Sequence, residues 1–182
     1  MEPVPHAGLV DRYRAEPHRA AVTQRVRTEL REGMRCETTS RGHVAVADEP
    51  RSLGGTDSAQ SPIELYLTSI ATCQAATYRL WAAELDVALE RVTVEVEGDI
   101  DLRGYLGLSD DVPPGYAALR IAVRLEGPEP EERYRALALL PWLALVVCVL
   151  VAGRAPAVLR RVQARLLSLE AAVLCRQAAV LP

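Results

Sequence analysis

The chain has 182 residues, which is enough for one domain with a sizeable hydrophobic core. Hydrophobic residues make up 49% of it and charged residues 25%, and these fractions exclude a disordered or fibrous protein. The net charge of −3 argues against general nucleic-acid binding. The N-terminus lacks the apolar stretch of a secretory signal, so we expect a cytoplasmic protein.

A change in charge divides the sequence near residue 136. Residues 136–182 contain five arginines and one glutamate, a net charge of +4, whereas the first 135 residues carry −7. We therefore expect three segments: a polar leader with helical character at 1–21, a body at 22–135, and an atypical apolar, arginine-rich helical region at 136–182.

Three short stretches near the start of the body alternate between apolar and polar residues, as strands with one buried face do. They span 22–30, 34–39 and 43–47, and the residues between them favour turns. This spacing predicts an antiparallel meander of three strands.

A helix is predicted to begin after the loop at 48–60. Ser61 is a suitable N-cap, Pro62 suits the first helical position, and Glu64 completes a capping box. No helix-breaking residue follows until about Leu85, and most sides of the helix are apolar. We therefore expect a central helix that more than one neighbour buries.

Two further alternating stretches, at 92–96 and 119–125, predict two more strands. The connection between them at 99–116 is long for a hairpin and rich in Gly, Pro and Asp, which is typical of a functional or mobile loop. Helical sequence resumes after Pro130. The order β-β-β-α-β-β-α indicates an α+β fold with a mainly antiparallel sheet.

The four cysteines lie far apart, with no CxxC pair and no histidine at ligand spacing, so we expect no metal site and no cofactor. Cys73 lies within the central helix, and two interpretations of it stay open. It is either a small packing residue or a nucleophile, and a reactive thiolate requires nearby positive charge. Its own helix start is too distant to supply that charge. We interpret Cys36 and Cys175 as packing thiols.

The run DEPRSLGGTDSAQSPIELYLTSIATCQAATYRLWA, residues 48–82, resembles the first-cysteine region of the OsmC/Ohr family of thiol peroxidases. The shared features are the GG loop, the SP-x-E-L helix start and a cysteine eleven residues after the proline. The resemblance continues through VTVEVEGDIDLRGYLGL and DDVPPGY and covers roughly residues 22–135.

The resemblance implies an OsmC-like fold, with antiparallel β-sheets wrapped around two central helices in an intertwined homodimer. It also implies reduction of small organic hydroperoxides, in oxidative-stress defence, with regeneration by a lipoyl-type or other dithiol. Cys73 matches the peroxidatic cysteine. Arg35 is the candidate for stabilising its thiolate, with a solvated strand arginine as the alternative, and Cys148 is the candidate resolving cysteine.

Two departures from the family pattern leave the activity open. The family's glutamate directly follows the proline, where this chain has Ile63, and Glu64 lies half a turn around the helix from Cys73. The family's second cysteine precedes a proline, whereas Cys148 does not. The alternative function is therefore a family fold without peroxidase activity that binds a small apolar or thiol ligand at the dimer interface.

Residues 136–152 contain no charged side chain. Three interpretations stay open, ranked here in order: a buried second central helix, a loss of the family's reading frame after about Ala136, and a transmembrane anchor. The last would give a membrane-associated variant, because 17 apolar residues reach the lower limit for spanning a bilayer.

Overall fold

The computed structural model describes residues 7–138. Its contacts divide the chain into two units, Met1–Tyr134 and Arg135–Pro182, and the description below concerns the first. The expectations for Cys148, for Cys175 and for nearly all of 136–182 concern residues outside the described range.

The first unit combines strands and helices in the predicted order. Its strands are β1 (Arg27–Leu30), β2 (Cys36–Ser40), β3 (His43–Ala47), β4 (Arg91–Ile100) and β5 (Tyr116–Glu126). Its α-helices are α1 (Ala7–Ala15), α2 (Pro62–Glu84) and α3 (Leu102–Tyr105), with 3-10 turns at Pro17–Ala20 and Arg51–Leu53. Residues 131–138 are also helical. The predicted α+β class with antiparallel sheets is confirmed.

Strands β1, β2 and β3 form the predicted antiparallel meander. Arg41 and Gly42 link β2 to β3, with φ angles of 50° and 85°. Positive φ at both central residues matches the twist of the flanking strands. Strand β1 is shorter than predicted, since residues 22–26 do not join it. Its first residue, Arg27, pairs with Thr39, and β2 extends only one residue further, to Ser40, so residues 22–25 have no strand residue opposite them.

Helix α2 begins as predicted, with a complete capping box at Ser61 and Glu64. Its buried residues recur every fourth position, and this stripe lies on the side that packs against β4. The members of the stripe are Ile70, Gln74, Tyr78 and Ala82. The opposite side of the helix is exposed within one chain. Burial by more than one neighbour, which the apolar sequence predicted, is therefore not achieved by the described chain alone.

Strands β4 and β5 form a second antiparallel sheet, from the pair Arg91–Glu126 to the pair Ile100–Tyr116, with an irregularity at Asp99 and Ile100. The connection between them contains the short helix α3. Gly104 of this helix is buried against the carbonyl of Pro113, where any side chain would collide. The predicted loop is therefore partly helical and closely folded on itself.

Candidate functional site

Cys73 is exposed within one chain, on a side of α2 outside the buried stripe. At 100° per residue, the other exposed residues on this side lie within about 60° of it around the helix. We call this the free stripe of α2, and it comprises Pro62, Tyr66, Ser69, Cys73, Ala76 and Glu84. A cysteine that filled space in the core of one chain would be buried. The packing interpretation of Cys73 therefore finds no support within the chain.

The loop before α2 is organised by Asp48, a carboxylate whose residue is only 1% exposed. One carboxylate oxygen accepts hydrogen bonds from the backbone N–H and the hydroxyl of both Thr56 and Ser58. The other accepts from the N–H of Glu49. The Thr56 hydroxyl is the main cause of a pKa well below the usual range for Asp48. This loop fixes where α2 begins and therefore how Cys73 is presented.

Glu64 is committed to the helix start and does not face Cys73. Its carboxylate accepts from the backbone N–H of Ser61 at 2.7 Å and from the Ser61 hydroxyl at 2.8 Å. These bonds, the backbone one first, lower the pKa of Glu64. Nine residues at 100° each place it half a turn from Cys73, so its capping role leaves the thiol without this carboxylate.

A shallow, open groove of about 240 Å³ lies on the side of α2 that contains Glu64, opposite Cys73. Helix residues from Glu64 to Ala71 form one wall, and Gln60 and Val96 also line it. Gln60 donates to the Thr68 hydroxyl at 3.0 Å. Since Cys73 faces away from this groove, the groove is not the site of the thiol.

Arg35 lies just before β2 and forms an ion pair with Glu37, with 2.5 Å between Nη1 and Oε1. The second oxygen of Glu37 accepts from Arg31 at 3.0 Å. These bonds, that from Arg35 first, lower the pKa of Glu37. Within residues 7–138, no side chain forms a hydrogen bond or ion pair with the Cys73 sulfur. The structure therefore does not bring the two predicted site residues together in one chain.

An aromatic pair near Cys73 was not among the site residues predicted from the sequence. The rings of Tyr66 and Tyr116 stack with their centroids 6.0 Å apart and 23° between their planes. The Tyr116 hydroxyl donates to the carbonyl of Ile63 at 2.9 Å. The seven-residue spacing from Tyr66 to Cys73 is the signal that could have placed this ring on the same helix side.

The described residues contain neither a metal-ligand group nor a membrane-spanning helix. Between residues 7 and 138 there is no group of three or more His, Cys, Asp or Glu side chains that could hold a metal ion. The helices described there include none that is long and apolar enough to cross a membrane.

Comparison with known proteins identifies the fold. The family model for OsmC-like proteins matches residues 55–140. An OsmC-like protein from Mycoplasma pneumoniae superposes with a TM-score of 0.55 at 17% identity, covering 64% of this chain and 77% of its own. A Psychrobacter arcticus 273-4 protein, named for osmotic stress induction and a detoxification response, gives 0.52 at 16% identity, covering 65% and 81%. No curated protein sequence matches the chain.

These comparisons agree with the motif that the sequence carries. The matched region begins within the loop that Asp48 organises and includes α2, Cys73 and both strands of the second sheet. The predicted OsmC-like fold is confirmed, and residues 55–140 of the chain match the family of OsmC-like proteins.

Proposed function

We propose that the protein is a thiol-dependent peroxidase that reduces organic hydroperoxides through Cys73. The observation that carries this proposal is the exposure of Cys73 on the free stripe of α2. Free cysteines are usually buried, so an exposed one favours a chemical role over a packing role.

The proposed reaction converts a hydroperoxide, R–O–OH, into an alcohol. The Cys73 thiolate attacks the terminal oxygen, an S–O bond forms and the O–O bond breaks, leaving a sulfenic acid on the protein. The released alkoxide takes a proton from water. The sulfur is oxidised by two electrons, and the peroxide is reduced by the same two electrons.

The sulfenic acid must then be reduced. A second thiol, for which Cys148 is the candidate, would condense with it to a disulfide and release water. A lipoyl-type or other dithiol would reduce that disulfide by thiol–disulfide exchange, and its own two thiols would become a disulfide. This cycle requires the reducing conditions of the cytoplasm, where we place the protein.

We further propose that the working form is a homodimer. Large apolar side chains around the first sheet are exposed in one chain: Val22, Val26, Leu30, Met34 and Val44. The first sheet also makes few close approaches to α2. Exposed apolar surface of this kind marks an interaction site, and a second copy is the simplest partner that covers it. Arg35 would then act on the Cys73 of the partner or on its own after rearrangement.

The experiment is peptide mapping after treatment with less than one equivalent of cumene hydroperoxide. We expect oxidation at Cys73 before Cys36, Cys148 or Cys175. The Cys73→Ser variant should leave the hydroperoxide unconsumed. Oxidation spread evenly over the cysteines, or absent from Cys73, contradicts the proposal.

A second function is favoured by the engagement of Arg35 with Glu37 and the absence of a carboxylate at Ile63. In this case the family fold binds a small apolar or thiol ligand without reducing peroxides. Intact-mass measurement distinguishes the two functions. An added oxygen atom or a loss of two hydrogens after hydroperoxide treatment supports catalysis, and an unchanged mass supports binding alone.

A further inference from the structure

We propose that Tyr66, held in place by Tyr116, forms an aromatic subsite beside Cys73 and makes the site selective for aryl hydroperoxides. This inference rests on the proposed peroxidase function and names the substrate class of that same site. Neither the family match nor the two fold comparisons assign a role to either tyrosine.

The position of Tyr66 follows from helix geometry. It precedes Cys73 by seven residues, so the two side chains lie about 20° apart around α2 and about 10 Å apart along its axis. Tyr66 is 47% exposed, so its ring is accessible on the same side as the exposed thiol. An apolar aromatic surface therefore lies two helical turns from the nucleophile.

The ring of Tyr66 is supported by the second sheet. Tyr116 stacks on it with 6.0 Å between ring centroids, and the Tyr116 hydroxyl is anchored to the carbonyl of Ile63 at 2.9 Å. Gly98 of β4 pairs with Leu119, and any side chain at Gly98 would overlap the Tyr116 ring. Tyr66 is thus held from one side while part of its surface stays exposed, which reduces the entropy lost when a ligand packs on it.

The space between Tyr66 and Cys73 suits an aromatic substrate. Ser69 lies between them on the free stripe, and its small side chain donates back to the carbonyl of Tyr66 at 2.7 Å. During attack the sulfur and the peroxide oxygen are about 3 Å apart, and an aryl ring attached through one carbon lies about 5 Å further on. Such a ring comes within roughly 4.5–7 Å of the Tyr66 ring, the range for aromatic pairs.

The test compares two hydroperoxides of similar reactivity, cumene hydroperoxide with an aryl ring and tert-butyl hydroperoxide without one. Tyr66→Leu keeps apolar packing against Tyr116 but removes the ring. We expect it to lower kcat/KM for cumene hydroperoxide by about threefold to tenfold, with less than a twofold change for tert-butyl hydroperoxide. Tyr66→Phe should preserve the wild-type preference.

The matched control is Tyr105→Leu, which removes an exposed tyrosine on α3, outside α2. It should leave both rates unchanged. An equal fall for both substrates in Tyr66→Leu, or no change in their ratio, overturns the aromatic subsite while the peroxidase function stands. A general loss of folding in Tyr66→Leu would lower the rates with both substrates together. Tyr66→Phe keeps the ring and loses only the hydroxyl, so it should fold normally unless the hydroxyl is needed for folding.

A second measurement keeps the subsite testable if the wild-type protein reduces no peroxide. The alkylation of Cys73 by N-phenylmaleimide and by N-methylmaleimide is followed by peptide mapping. The subsite predicts that Tyr66→Leu selectively slows the reaction with the phenyl reagent. That result supports the subsite although the peroxidase proposal has failed, and an unchanged ratio of the two rates overturns the subsite.

Discussion

The guanidinium of Arg35 and the carboxylate of Glu37 are 2.5 Å apart, and Glu37 at the same time binds Arg31. Arg31 in turn binds Glu29, the residue directly opposite Glu37 in the sheet. The cluster holds three cations and two anions and so carries one net positive charge: Arg27, Glu29, Arg31, Arg35 and Glu37. Arg35 is therefore an arginine whose charge its neighbours only partly neutralise.

The first prediction concerns Arg35→Ala. If Arg35 stabilises the Cys73 thiolate, its removal lowers the fraction of Cys73 that is present as thiolate and slows alkylation near neutral pH. The measurement is the rate of iodoacetamide labelling of Cys73 against pH.

Arg27→Ala is the control for that experiment, because it also removes one positive charge from the cluster but does not bind Glu37. It should have a smaller effect on the labelling rate. Equal labelling rates in wild type and Arg35→Ala would indicate that Arg35 is a solvated strand arginine.

The second prediction concerns Glu37→Gln. The amide oxygen of glutamine still accepts a bond from Arg35, so the arginine keeps its position while a negative charge is lost beside it. If Arg35 stabilises the Cys73 thiolate, we expect the labelling of Cys73 below neutral pH to become faster. Glu29→Gln is the matched control, since Glu29 is in the same cluster but does not bind Arg35. The effect should shrink at high salt because these groups are partly exposed. Slower labelling in Glu37→Gln would show that the carboxylate acts by orientation and not by charge.

The third prediction concerns the start of α2. Ser61→Ala removes the N-cap hydroxyl, and we expect the free energy of unfolding to fall by about 0.5–2 kcal/mol. The pKa of Glu64 is lowered in the folded state, so its contribution is present above its ordinary pKa and is lost as the pH falls below about 4. Urea unfolding at pH 7 and pH 3 measures both effects.

Ser52→Ala is the control for the N-cap, since Ser52 is exposed in a 3-10 turn of the preceding loop. It should unfold at the wild-type urea concentration. A Ser61→Ala variant as stable as Ser52→Ala at pH 7 would contradict the capping interpretation.

The fourth prediction concerns Asp48→Asn. An amide has only one acceptor oxygen, so the donors that bonded the replaced oxygen of Asp48 lose their partner. We expect the melting temperature to fall by several degrees, with slower labelling of Cys73 only if the helix start moves. Because the pKa of Asp48 is lowered on folding, its contribution is also lost as the pH falls below about 4.

Asp57→Asn provides the comparison for Asp48, because Asp57 is an exposed acid of the same loop. Its φ of 60° is one that asparagine adopts readily. Melting curves of the two variants should differ clearly. If they coincide, the bonds to Asp48 do not stabilise the loop.

The fifth prediction concerns assembly. We expect sedimentation at micromolar concentration to show a dimer, because the apolar residues of the first sheet are uncovered in one chain. Val44→Arg places a charge among these residues and should shift the equilibrium toward monomer. Ser52→Arg, on the exposed loop, should not. A stable wild-type monomer would contradict the dimer.

Local features of the fold could be predicted from the sequence because they depend on neighbouring residues. The capping box needs only Ser61, Pro62 and Glu64, and the turn into β3 needs only Arg41 and Gly42. Alternation of apolar residues gave the five strands for the same reason. The first residue of β1 could not be predicted from the alternation of its own residues, because the length of β2 decides where the pairing begins.

The site was less predictable because it depends on which side of α2 is covered. The apolar sequence predicted burial all round the helix, but packing against β4 covers only the stripe that contains Gln74 and Tyr78. The roles of Asp48 and Glu37 were not predicted, because the sequence does not show which side chains an acidic residue contacts. Tyr66 could have been found from its spacing to Cys73.

The loop before α2 has a consequence for the order of folding. All the bonds that Asp48 accepts come from residues no more than ten positions along the chain, and the capping box spans three. Contacts of such short range close with little loss of chain entropy and form quickly. The loop and the first turn of α2 can therefore form one local nucleus before β5 has been synthesised, and the sheets assemble on a helix whose first residue is already fixed.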